Sequence, residues 1–86
     1  MTFKIERLVN QDDAIRLRVC GRVDIECVNT LKELIEVEIA KIVLDLLEVT
    51  LADRDAAAFL AVCELQGIEL ANCPAFLRSW IATEEI

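Results

Sequence analysis

Side chains that could do chemistry are few here: sixteen Asp and Glu, four cysteines, one serine, and no histidine or tyrosine. Nucleophilic catalysis needs a base beside a serine or cysteine, and the single serine, Ser79, falls on a predicted helix with no histidine anywhere to activate it. Phosphate-cradling turns need clustered glycines ahead of a helix, whereas Gly21 and Gly67 stand alone. The carboxylate pairs Asp12/Asp13 and Asp53/Asp55 could hold a metal or share acid–base work. Each occupies a place where Asp ordinarily closes a turn or caps a helix, and that is the reading adopted. Tuned acid–base carboxylates also need a pocket, for which so short a chain has little interior. Cys20, Cys27, Cys63 and Cys73 include no CxxC spacing and read as small buried hydrophobes. Neither enzymatic activity nor a cofactor nor a metal is expected.

Charge narrows the partners. A formal net charge of −7, with nine basic residues scattered singly apart from Arg16/Arg18, offers no basic stripe for nucleic acid or an anionic membrane. The longest unbroken apolar run, Ala56 to Cys63, falls far short of the roughly 20 residues needed to span a bilayer. The start, Met-Thr-Phe-Lys-Ile-Glu-Arg, is too charged for the core of a signal peptide, so a cytoplasmic location is expected. An apolar fraction of 56%, against a usual value of about 45–50%, excludes disorder and leaves apolar surface to spare for a partner.

The elements that must position these residues follow from periodicity. Phe3 to Val9 alternates as a strand, and Asn10 to Asp13 is a turn cluster. Ile15, Leu17 and Val19 alternate with Arg16 and Arg18, which predicts a second strand in an antiparallel hairpin, ended by Gly21. From Asp24 the period becomes helical, with Val28, Leu31, Leu34 and Ile35 on one face and Asp24 as the cap. Ile42 to Leu46 is nearly all apolar, as in a central parallel strand with helices on either side. Asp53 caps a second helix, with Ala56, Phe59, Leu60 and Cys63 buried and Gly67 past its end. Ile68 to Ala71 is a short last strand. Pro74 opens a third helix whose Phe76, Leu77, Trp80 and Ile81 are expected to pack inward, before a frayed tail at Thr83 to Ile86. Both glycines are thus placed at element ends. The order predicts one α/β domain over residues 1–86, with about four strands in a mixed, mostly parallel sheet and about three helices.

Two stretches go further. Leu17-Arg18-Val19-Cys20-Gly21-Arg22-Val23-Asp24 resembles the Gly-x-x-Asp end of the second strand in STAS domains. Ile42 to Asp53 resembles that family's strand-to-loop signature, which continues into Asp-Ser-Ser-Gly and a helix. Gly67-Ile68-Glu69-Leu70 and the Pro74 helix match the next strand and helix, so the resemblance covers roughly residues 2 to 82. It implies the fold of anti-sigma factor antagonists, regulatory domains that bind a partner kinase which is also the anti-sigma factor. In them, phosphorylation of the first serine after the motif's Asp switches binding off, since a phosphoryl group adds about −1.5 to −2 charges. The motif's Asp is Asp53 here, but Arg54 stands at the phosphoacceptor position, Asp55 at the second serine and Ala56 at the glycine. Arginine does not accept a phosphoryl group in that chemistry, so no phosphorylation is expected at this position.

What the resemblance carries over is a fold and a protein-binding surface at Asp24, Asp53, Arg54 and Asp55. Asp55 would also favour the positive end of its helix, and Trp80 is read as core. The chain also stops short of the family's usual last strand and helix. That leaves a sheet edge on which two copies could associate as a homodimer, the second reading. The third is a small-ligand-binding STAS domain, for which the residues mark no pocket.

Overall fold

Seven elements follow one another in the computed structural model, which describes residues 3–84. They are β1 (Phe3–Val9), β2 (Ile15–Val23), α1 (Ile25–Glu36), β3 (Ile42–Ala52), α2 (Arg54–Leu65), β4 (Glu69–Ala71) and α3 (Ala75–Glu84). The strands lie side by side in sequence order, β1 antiparallel to β2 and the rest parallel. This is the four-stranded mixed sheet with three helices that the sequence predicts. The Cα radius of gyration, 11.9 Å, equals the value of about 12 Å expected for one body of this length.

All three helices lie on one face of the sheet, not on either side as the apolar run of β3 suggested. Cys27, Val28 and Leu31 of α1, Ala56, Leu60 and Cys63 of α2, and Leu77 and Ile81 of α3 share one cluster with Leu17, Val19, Leu44 and Leu46. The reason is topological. Both parallel crossovers, β2 to β3 and β3 to β4, step the same way across the sheet, and right-handed connections then put their helices on the same side.

Gly21 does not end β2. The strand continues to Val23, and Gly21 adopts φ +89°, within a region where the register against β3 shifts twice. A residue with a Cβ avoids that backbone conformation, which glycine adopts readily. β3 carries the surplus residues, one between Asp45 and Glu48 and one between Val49 and Leu51. These bulges re-phase the strand. Leu46 and Val49 both reach the core, while Leu47 and Leu51 are 64% and 61% exposed.

Other boundaries shift less. β4 is Glu69–Ala71 rather than Ile68 to Ala71, and Gly67, with φ +91°, follows the α2 cap Gln66 as expected. Pro74 lies just ahead of α3, and its carbonyl accepts from the Leu77 and Arg78 N–H groups at 3.1 and 2.9 Å. Leu77 and Ile81 are fully buried, but Phe76 and Trp80 are 49% and 38% exposed, so the inward packing expected of them fails. α3 buries one narrow i, i+4 stripe against α2 and the core, and among the described residues nothing packs over the adjacent side that carries Phe76 and Trp80. Thr83 and Glu84, expected in a frayed tail, are instead the last residues of α3, and Glu85 and Ile86 lie outside the described residues.

Candidate functional site

The site is assembled at the carboxyl ends of β2 and β3, where crevices of parallel sheets commonly take ligands. Val23 and Ala52 are register partners, and the Asp53 N–H donates to the Val23 carbonyl at 3.3 Å. The two helices therefore start side by side. Asp24 Oδ1 accepts from the Cys27 N–H at 3.2 Å, and Asp53 Oδ1 from the Ala56 N–H at 2.9 Å. Their carbonyls accept the following helical bonds from Val28 at 2.9 Å and Ala57 at 3.1 Å. Each aspartate is thus a working N-cap, worth about 1 kcal/mol. Arg54 and Asp55 occupy the first turn of α2 and are exposed. All four residues singled out in the sequence therefore meet at one end of the molecule.

Sequence reasoning missed the apolar surface around them. Ile25, at the start of α1, is 49% exposed, and Leu51, beside the end of β2, is 61% exposed. Between α1 and α2 runs a groove lined by Ile25, Val28, Lys32, Asp55, Phe59 and Val62. Lys32 Nζ lies 6.0 Å from the centre of the Phe59 ring, within cation–π reach. Val62 had a signal: eight consecutive apolar residues from Ala56 must overrun a single helical face. Leu51 had none, because a bulge leaves no mark in the alternation of side chains.

The other acidic pair does structural work. Asp12 Oδ1 accepts from the Ala14 N–H at 3.2 Å, and Asp13 takes φ +67°, so both shape the β1–β2 turn. Among the described residues, no three of His, Cys, Asp and Glu gather closely enough to hold a metal ion. Nor is any described helix long and apolar enough to cross a membrane.

The thiols divide into two groups. Cys27 and Cys63 are buried. Burial, and then the neighbouring Asp24 carboxylate, pushes the Cys27 thiol up to about 12, and burial pushes Cys63 up to about 11. Both remain protonated and unreactive near neutrality, in keeping with their reading as small hydrophobes. Cys20 and Cys73 are half-buried.

One buried charge escaped the sequence reading. Asp45 is 3% exposed on the face of the sheet opposite the helices. Arg16 reaches its Oδ2 at 3.0 and 3.1 Å, Arg18 approaches at 3.7 Å, and Asn72 and the Leu47 N–H donate to Oδ1 at 3.3 and 3.1 Å. Burial raises its pKa, but the Leu47 N–H, Asn72 and Arg16 together outweigh burial and hold the carboxyl below its ordinary value.

No family model matches the sequence, and no curated protein does. A solved structure does resemble this one: the crystal structure of an antisigma-factor antagonist, STAS domain from Rhodobacter sphaeroides. It aligns with a TM-score of 0.65 at 15% identity, over 83% of this chain and 87% of that one. The chain therefore has a STAS-like α/β fold.

Proposed function

We propose that this chain is a non-catalytic regulatory domain that binds another protein through the end of the sheet where Asp24, Asp53, Arg54 and Asp55 meet. One observation carries the reading. Two capped helix starts stand side by side, and the exposed Ile25 and Leu51 lie next to Asp24 and two residues ahead of Asp53 in the chain. Exposed apolar side chains interspersed with charges are what a protein-binding patch combines. Ile25 and Leu51 supply the apolar contact, and Arg54 belongs to a residue type that often dominates binding energy.

The kind of partner is suggested by the neighbour's description as an antisigma-factor antagonist and by the STAS-like loop of this chain. It is an anti-sigma factor that doubles as a serine kinase, met in the cytoplasm during control of transcription. With Arg54 at the phosphoserine position, the contact is not switched off there by phosphorylation.

The test is capture from a lysate of the source cells by the full chain and by an Arg54→Glu/Leu51→Ser variant shown by circular dichroism to fold. A single protein held by the wild type and lost by the variant, and identified as a kinase-type anti-sigma factor, is the expected result. Capture that survives both substitutions would place the binding surface elsewhere. A chain that captures nothing would leave only its fold in common with the antagonists.

A further inference from the structure

The two edges of the sheet are built differently. At one, β4 is three residues long and pairs only with Val43, Leu44 and Asp45, and beyond it β3 is interrupted by two bulges. Short and bulged edges resist the addition of a strand. At the other, β1 is seven residues long, pairs with β2 in unbroken register, and contains neither proline nor glycine. β1 ends the sheet, so among the described residues no strand meets its outer backbone groups.

A second copy can add to this edge around a two-fold axis normal to the sheet, which makes the strands antiparallel and sets residues of the same face opposite one another. Lys4, Glu6 and Leu8 face the open side with Arg18 and Arg16, while Ile5 and Arg7 face the helices with Val19 and Leu17. The axis must then pass through a residue. Centring it on Lys4, Glu6 or Arg7 sets that charge directly against its own copy, which is destabilising, and centring it on Phe3, Leu8 or Val9 leaves most of β1 unpaired. Centring it on Ile5 sets Lys4 opposite Glu6 of the partner copy twice over, packs Ile5 on its counterpart, and lays Phe3 against Arg7 of the partner copy.

The open face already prepares this register. Glu6, Arg18 and Asp45 are register partners across three strands, with Arg18 3.9 Å from Glu6 and 3.7 Å from Asp45. The row alternates acid, base, acid and stops at the edge on Glu6. Lys4 of the partner copy is the next charge it calls for. Within one chain, Lys4 reaches Glu6 only at 3.8 Å and is largely exposed.

We propose that β1 is the contact edge of a two-fold homodimer, joined antiparallel about Ile5 into one continuous eight-stranded sheet. This goes beyond the partner-binding reading. The Asp24–Asp55 end of each copy is borne on β2 and β3, away from the axis, so the dimer would present two such ends.

The test is sedimentation equilibrium of the full chain across a wide concentration range, with folding of each variant checked by circular dichroism. Wild type is expected to be a dimer that weakens as salt rises. Lys4→Glu and Glu6→Lys each set like charges opposite one another at both symmetric positions, and each is expected to weaken self-association about tenfold or more. When the two variants are mixed, one brings an acid at both positions and the other a base at both. Every cross-strand pair between them is then acid against base, and the heterodimer is expected to form. A monomeric wild type at millimolar concentration would overturn the proposal. So would single variants that dimerise as wild type does, or a mixture that stays monomeric. None of these outcomes depends on lysate capture.

Discussion

The two faces of the sheet are buried by different physics. On the helix side, Leu17, Leu44 and Leu46 have no solvent exposure because three helices lie over them. On the other side no helix joins the core, yet Asp45 is only 3% exposed, covered by Arg16, Arg18 and Asn72 from neighbouring segments. Leu44 and Asp45 are consecutive residues of one strand, hidden almost equally and for opposite reasons. Apolar burial holds at any pH. Burial of a carboxylate holds only while the charge exists and its partners remain.

This contrast is sharpest at that adjacent pair. Leu44→Ala leaves a void in the core that the sheet shares with the helices and is expected to cost about 2–5 kcal/mol by denaturant unfolding, more than any substitution on the open face. That cost should be the same at acid and neutral pH. A cost that varied with pH would mean that the two faces are coupled.

Arg16→Met keeps most of the side-chain stem but removes the cation from a buried carboxylate. About 2–3 kcal/mol is expected at neutral pH. Here the pH dependence has a definite sign. Although burial raises the Asp45 pKa, the Leu47 N–H, Asn72 and Arg16 bring it below its ordinary value. Its contribution is therefore fully present above the unfolded value of about 4 and is lost as pH falls through the lowered native value. Wild type should lose stability through this acid range, and Asp45→Asn should flatten the slope. A slope unchanged in Asp45→Asn would assign acid sensitivity to other carboxylates.

How far the sequence announced all this depends on the kind of signal each feature leaves. The hairpin, the helix caps and the order of elements along the chain were legible because alternation, capping aspartates and Gly67 are local. Asp24 and Asp53 do what their positions suggested. Asp45 was hidden in an apolar run, and its partners Arg16 and Arg18 read only as the polar side of another strand, since pairing between strands is not written in either alone. The placement of all helices on one face follows from the direction of both crossovers, which periodicity does not encode. Trp80 and Phe76 failed for a related reason. A helical stripe shows which residues share a side, not how wide a cover the rest of the fold provides. Two bulges in β3 left no trace, and with them went the exposure of Leu47 and Leu51.

The smallest expected effect separates the structural and electrostatic roles of Asp24. Asp24→Ala should cost about 1 kcal/mol by removing the α1 cap, whereas Asp24→Asn keeps an acceptor and should cost only about a few tenths. The second substitution nevertheless removes a negative charge beside Cys27, whose thiol is pushed up to about 12, first by burial and then by Asp24. A thiol whose pKa is raised on folding contributes stability that is complete below the unfolded value of about 8.5 and is lost as pH rises towards the native value. Asp24→Asn should therefore lower the native Cys27 pKa without returning it to the unfolded one. The thiolate absorbance of Cys27, followed in a chain whose other cysteines are alanine, reads this directly. A titration unmoved by Asp24→Asn would mean that burial alone holds the proton, and that the acidic end of the sheet exerts no field on the core beneath it.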